Sequence, residues 1–275
     1  MGGSGKTPTV IAIAEMLSAE GWKPAILTRG YRRAAGERHA LVDEVDPERF
    51  GDEPVLMWKA LPGTDIVVGS DRYRAGRWYL QTRDCDVFII DDGFQHLQLH
   101  RDIDVVLDDA GAEHHRESRR ALKHADLILL RDGGSGSTRS DSTFLAHLEA
   151  QSVHWHRGDQ PLDVMKGRPV IGFSGLARNE RFRASLEALN SNILDFVDFS
   201  DHHHYTREEV DALRVRRDLL RADFLITTEK DWVKIAADDI AFLSVRMEIS
   251  EQNEFLEALL ALLRERSPES PRSRR

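Results

Sequence analysis

The first seven residues of the chain carry the clearest chemistry. Gly2, Gly3, Ser4 and Gly5, followed by Lys6 and Thr7, match the core of a Walker A loop. In such a loop backbone N–H groups wrap phosphate oxygens, the lysine reaches the β- and γ-phosphates of ATP, and the hydroxyl ligates Mg²⁺. The bland alternative is a glycine turn ahead of a helix. The run continues into TVIAIAEMLSAEGW, with Val10, Ile11, Ile13, Met16 and Leu17 at helical spacing and Gly21 as a stop. The loop therefore leads into the helix that an anion site needs. A phosphoryl-transfer site also requires an acid at a strand end, and VFIIDDG places Asp91 and Asp92 there. A second pair, Asp108 and Asp109 in DIDVVLDD, is expected to be solvated turn acids.

Other polar groups are more ambiguous when taken alone. FGDEPVLMW sets Asp52 and Glu53 between Gly51 and Pro54, and composition reads this as an ordinary helix start, with acids favoured by the dipole and Pro early. SDHHHY carries His202, His203 and His204. Adjacent side chains diverge and no cysteine pair or HExxH spacing accompanies them, so a proton acceptor or orienting partner fits better than zinc. Arg29, Arg72, Arg116 and Lys230 border strand ends or loops. An isolated cation there is ordinarily solvated, but phosphoryl transfer needs two or three of them pointing inward.

The elements that must position these groups alternate in type. KPAILTRGY, TDIVVGSDR, CDVFIIDDG, IDVVLDD and ADLILLRD are short apolar runs ending in polar residues, the pattern of buried parallel strands with ligand groups at their carboxyl ends. They predict an α/β, P-loop NTPase-like domain over 1–158, a mostly parallel sheet flanked by helices, with residues 132 to 142 as a turn-rich loop. RPVIGFSG, ERFRASLEAL, ILDFVDFSDHHHY, TREEVDALR and DFLITTEKD predict a second, smaller α/β domain over 159–268, leaving 269–275 as a frayed, disordered tail. A net charge of −9 argues against a non-specific nucleic-acid partner. The single Cys85, expected to be a small buried hydrophobe, fits a reducing compartment. No stretch reaches the roughly 18 apolar residues needed to span a bilayer.

Several stretches taken in order, GGSGKTP, TRGYRR, GDEP, Asp71–Arg72, DDGFQH, RES ahead of LKHAD, FSGLARNERF, FSDHHHY and TTEKD, resemble the tetraacyldisaccharide 4'-kinases of lipid A biosynthesis over nearly the whole chain. GDEP and DDGFQH together are far more specific than the phosphate loop. The resemblance implies transfer of the ATP γ-phosphate to the 4'-hydroxyl of a lipid disaccharide 1-phosphate at the cytoplasmic face of the bacterial inner membrane, the chain meeting that surface peripherally. No obligate protein partner is implied. It also implies Lys6 and Thr7 on phosphates and Mg²⁺, Asp91 and Asp92 completing the metal site, and Asp52 as base tuned by His202. Glu53, Arg72 and Arg116 would support metal or phosphate charge. With Asp52 in the first domain and His202 in the second, domain closure is expected to assemble that pair.

The family pattern also implies an apolar anchor helix and a buried strand ahead of the phosphate loop, neither of which precedes residue 1. The expectation is a destabilised or weakly active form, whether from a late start, a cut or a degenerate copy. TRGYRR lacks a further glycine seen in relatives, which leaves Arg32 and Arg33 without assigned roles. Two other readings stand beside the kinase: a nucleotide-dependent switch or partition ATPase, and an inactive nucleotide-binding remnant.

Overall fold

The computed structural model describes residues 5–31, 33, 37–94, 99–109, 121–131, 142–155 and 158–266. The expected tail, 269–275, and all of the expected turn-rich loop except Ser142 lie outside them. The described residues form an α/β protein of mostly parallel strands flanked by helices. Contacts group the chain into two units that exchange segments: one contains 5–44, 57–148 and the chain from 247, the other 45–56 and 149–246. Three of the crossings fall within a helix and two long strands, so the units differ from the consecutive division at residue 158 expected from sequence.

In the unit that begins at Gly5, α1 (Lys6–Ala19) is followed by Gly21 at φ 78°, a left-handed stop that suits glycine. β1 (Pro24–Thr28) is wholly buried and lies between β3 (Asp65–Gly69) and β4 (Val87–Ile90), parallel to both. β2 (His39–Leu41) closes one edge antiparallel to β3. α4 (Arg72–Tyr79) starts at an Asp71 cap whose carboxylate accepts from the Arg74 N–H. β5 (Val105–Asp109), β6 (Leu127–Arg131) and the start of β7 (Thr143–Trp155) run parallel in a second set. Each of the five expected strand runs in this half is therefore a strand.

The core of this unit joins α1 to the end of the chain. Ile13, Met16 and Leu17 pack with Leu127, Leu129, Phe144 and with Met247 and Ile249 of β12 (Ile240–Ile249). They also meet Phe255, Leu259, Leu260 and Leu263 of α8 (Gln252–Arg266), an apolar stripe at helical spacing. Phe255 is fully buried and meets Phe144 edge-on at 5.4 Å. Cys85 is only half-buried against a smaller core, and burial pushes its thiol up to about 12.

In the other unit the strand order is β10 (Asn192–Asp198), β9 (Pro169–Ser174), β11 (Phe224–Thr228), β12 and β7, with β8 (Gly158–Gln160) folded back antiparallel on β7. The first three pairings are parallel. α5 (Asn179–Ala188), α6 (Arg207–Leu220) and α7 (Glu229–Ile235) connect them, and α2 (Pro47–Phe50) and the start of α3 (Asp52–Ala60) belong to this unit too. α6 opens on a full capping box between Thr206 and Glu209. No helix among the described residues is long and apolar enough to cross a membrane.

Replacing Phe255 by Ala is expected to cost roughly 3–5 kcal/mol, read as a lower urea midpoint with an unchanged slope. A loss below about 1 kcal/mol would contradict the placement of this ring at the centre of the core.

Candidate active site

The polar groups singled out in the sequence fall into two clusters, each within one unit. The first surrounds the start of α1. Gly5 sits at φ 85°, and a Cβ there would lie 2.8 Å from the Met247 methyl, so the position requires glycine. It caps α1 without a side-chain hydrogen bond, and the first turn holds no acid. Positive helix-end potential is thus left for an external anion. Thr7 is buried on that turn. Lys6 Nζ is 2.9 Å from Asp92 Oδ1, with both side chains about one-third exposed. Asp92, just past the end of β4, is held at φ 51°. Asp91 is buried and accepts a 2.9 Å bond from the Thr28 hydroxyl.

Arg72 belongs to the same cluster. It is buried, its Nη1 donates to the Ser70 carbonyl at 2.9 Å, and its Nε has no hydrogen-bond partner among the described residues. Burial and the neighbouring Arg29 lower its proton affinity, against the opposing pull of Asp91, Asp92 and Asp71. Three cations and two strand-end acids around an uncapped helix start suit a polyphosphate with its metal. Gly2, Gly3, Ser4, Arg32 and Arg116 lie outside the described residues. The second acidic pair departs from expectation at Asp109, which is buried 4.0 Å from the buried Arg131 because it is the last residue of β5 and lies in register with Arg131 of β6 rather than in a solvated turn.

The second cluster is built on α3. Asp52 opens that helix directly after Gly51, and its Oδ1 accepts the Glu53 N–H at 3.0 Å. Its Oδ2 lies 3.0 Å from His202 Nδ1. His202 and Asp52 are therefore joined within one unit, and no closure is needed to bring them together. The contrast with the sequence expectation arises because residues 45–56 group with 149–246. Lys230, near the start of α7, donates to Glu53 Oε1 at 3.0 Å, faces His202 Nε2 at 3.2 Å and lies 3.9 Å from Asp52 Oδ2. Asp52, His202 and Lys230 have side chains only 8%, 12% and 10% exposed.

Burial by itself would raise the Asp52 carboxyl, but the His202 hydrogen bond and the Lys230 charge outweigh it and hold the group at about 2, against 3.8 ordinarily. Lys230 also loses affinity to burial, yet Glu53 and Asp52 more than restore it and raise it overall. The backbone of His202 sits at φ 58°, sparsely populated by non-glycine residues. Its N–H donates to the Gly175 carbonyl at 3.2 Å, and the Gly175 N–H donates to Asp231 Oδ2 at 2.9 Å. Asp231 is fully buried and bonded to the Thr228 hydroxyl at 2.8 Å. A Cβ on Gly175 would lie 3.0 Å from the Ser200 carbonyl, so the backbone of this loop is closely approached there. Sequence reading placed Lys230 among general cations and passed over Asp231 and Gly175. The TTEKD and FSG stretches held the signal, since a Thr ahead of an acidic helix turn marks a cap.

The chain matches the model of the family described as tetraacyldisaccharide-1-P 4'-kinase over residues 1–264. The chain belongs to that family. The tetraacyldisaccharide 4'-kinase of Syntrophus aciditrophicus is 31% identical over 309 residues, spanning 96% of this chain and 82% of that protein. That of Geobacter metallireducens is 38% identical over 256 residues, covering 86% and 76%. The crystal structure of LpxK from Aquifex aeolicus in complex with ATP superposes with a TM-score of 0.76 at 30% identity, covering 95% of this chain and 85% of that one. The kinase-family fold accounts for the mostly parallel sheet flanked by helices.

The depressed Asp52 carboxyl has a thermodynamic consequence. A folded-state value near 2 below an unfolded value of 3.8 adds stability that is present above pH about 4 and lost as pH falls through about 2. The gap between wild type and Asp52→Asn should be on the order of 2 kcal/mol at neutral pH and shrink across that window. Chemical denaturation at a series of pH values reads this, and a gap independent of pH would refute it.

Proposed function

We propose that the protein is an ATP-dependent lipid-sugar kinase that phosphorylates the 4'-hydroxyl of a tetraacyldisaccharide 1-phosphate in lipid A biosynthesis. Family membership over residues 1–264 supports the kinase chemistry and its acceptor. The observation that carries the residue-level reading is Asp52, a buried carboxylate whose Oδ2 is fixed by His202 and whose Oδ1 accepts a neighbouring backbone N–H. Oxygen lone pairs remain there for a sugar hydroxyl.

In this reading the α1 start and Lys6 bind the β- and γ-phosphates, and Thr7, Asp91 and Asp92 hold Mg²⁺. That ion supplies charge neutralisation to the phosphates. Lys6 must exchange Asp92 for phosphate, which is inexpensive because a partly exposed ion pair contributes only about 0–1 kcal/mol. The buried Nε of Arg72 gives a further donor for an anion. Asp52 orients the acceptor hydroxyl. A carboxyl held at about 2 is a weak base at neutral pH. It can still receive the proton in a loose transition state, where the hydroxyl is acidified late, as its bond to phosphorus forms. Glu53 is engaged by Lys230, so its part is to anchor that ammonium rather than to ligate the metal. The acyl chains of the acceptor call for reaction at a membrane surface, which we place at the cytoplasmic face of the inner membrane, met peripherally by the residues described.

Asp52→Ala should lower turnover with the lipid acceptor by roughly 10²–10⁴-fold while ATP affinity, read by calorimetry, stays near wild type. Near-normal turnover would remove Asp52 from the reaction.

A further inference from the structure

Lys230 touches every member of the Asp52 cluster, and the direction of its hydrogen bonds determines more than charge balance. An ammonium group has three donors and no acceptor. His202 Nε2 lies 3.2 Å from Lys230 Nζ, and two donors do not face each other at that distance, so Nε2 is the ring nitrogen without a hydrogen. The proton then resides on Nδ1, which lies 3.0 Å from Asp52 Oδ2 and donates to it. Asp201 Oδ1 lies 3.9 Å from Nε2, beyond hydrogen-bond range.

We infer that Lys230 is a positioning residue that sets the tautomer of His202, keeping Nε2 as an acceptor so that Nδ1–H is aimed at Asp52. The surroundings are built for this. The ammonium is tied to Glu53 Oε1 at 3.0 Å, so it cannot rotate away from the ring without breaking that bond. The same helix turn holds the histidine from its other side. Asp231, the residue after Lys230, accepts the Gly175 N–H, and Gly175 accepts the His202 N–H. One short turn, Thr228 to Asp231, therefore fixes both the ring and the left-handed backbone of His202. Lys234 supports the arrangement from the next turn, 2.7 Å from Asp231 Oδ1. A ring free to take the other tautomer would present a bare Nδ1 lone pair to the Asp52 carboxylate, and the two acceptors would repel.

The effect on turnover rests on the kinase reading above, whereas the tautomer does not. The test is two-bond ¹H–¹⁵N correlation spectroscopy of full-length protein with labelled histidine at pH 7.5, with the His202 signals assigned by their loss in His202→Gln. Wild type is expected to show the proton on Nδ1. Lys230→Met is expected to show the Nε2–H form or a mixture, and Lys230→Arg, which again offers only donors, to restore the Nδ1–H pattern. Lys230→Met should also lower kcat at least tenfold with KM for ATP little changed, and Lys230→Arg should recover part of the loss. A wild-type ring protonated on Nε2 overturns the inference even if Lys230→Met does not fold, and so does an unchanged pattern in a folded Lys230→Met. Absence of lipid kinase activity in wild type would instead defeat the functional reading and leave the spectroscopic result to stand by itself.

Discussion

A carboxylate taken out of water is the constraint around which the Asp52 cluster is organised. Removing Asp52 from solvent disfavours its ionised form, and His202 and Lys230 reverse that preference. Neither partner acts alone. His202 gives one directed hydrogen bond, while Lys230 gives charge from 3.9 Å and simultaneously occupies the far nitrogen of the same ring. Buried ion pairs seldom add much net stability, but losing one member strands the other in a poorly solvated place. The surrounding polar groups make sense in that light. Thr228, Asp231 and Gly175 form a chain of hydrogen bonds that ends on the backbone of His202, while Glu53 gives its N–H to Asp52 Oδ1 and its carboxylate to Lys230.

The phosphate-loop cluster follows a contrasting logic. Its ion pair between Lys6 and Asp92 is partly exposed and so readily exchanged, and its helix start lacks a side-chain cap. Strain is stored at the strand end, where Asp92 takes a left-handed backbone angle, as His202 does in the other cluster. Rigidity accompanies the residues proposed to orient a hydroxyl, and loosely held charge accompanies those proposed to receive phosphates. A weakly held cation yields to a charged ligand; a buried carboxylate must be correctly placed before its partner arrives.

Much of this was legible in the residues. Short apolar runs ending in polar residues became β1, β3, β4, β5 and β6, and the spacing after Thr7 became α1. GDEP looked like an ordinary helix start and is one, so composition could not separate its architecture from its chemistry; only the resemblance did. Long-range facts were the ones lost. TFLAHLEAQSVHW lacks a turn signal and mixes helix formers with aromatics, yet forms the long strand β7 because alternate side chains such as Phe144 and Ala146 meet a core supplied from far along the chain. Asp109 reads as a turn acid until Arg131, on the neighbouring strand, is placed beside it. The grouping of 45–56 with 149–246, and with it the direct Asp52–His202 contact, depends on pairings that no local pattern encodes.

The account stands on energetic coupling between Asp52 and Lys230 through the ring of His202. A double-mutant cycle in unfolding free energy at pH 7, using Asp52→Asn, Lys230→Met and the double variant, measures it directly. Each single change should be strongly destabilising and the double change markedly less than their sum, with a coupling of at least 1 kcal/mol, inside the roughly 0.5–3 kcal/mol range for residues in one network. Additivity within about 0.3–0.5 kcal/mol would mean that the carboxylate and the ammonium are merely neighbours, and the account would fail.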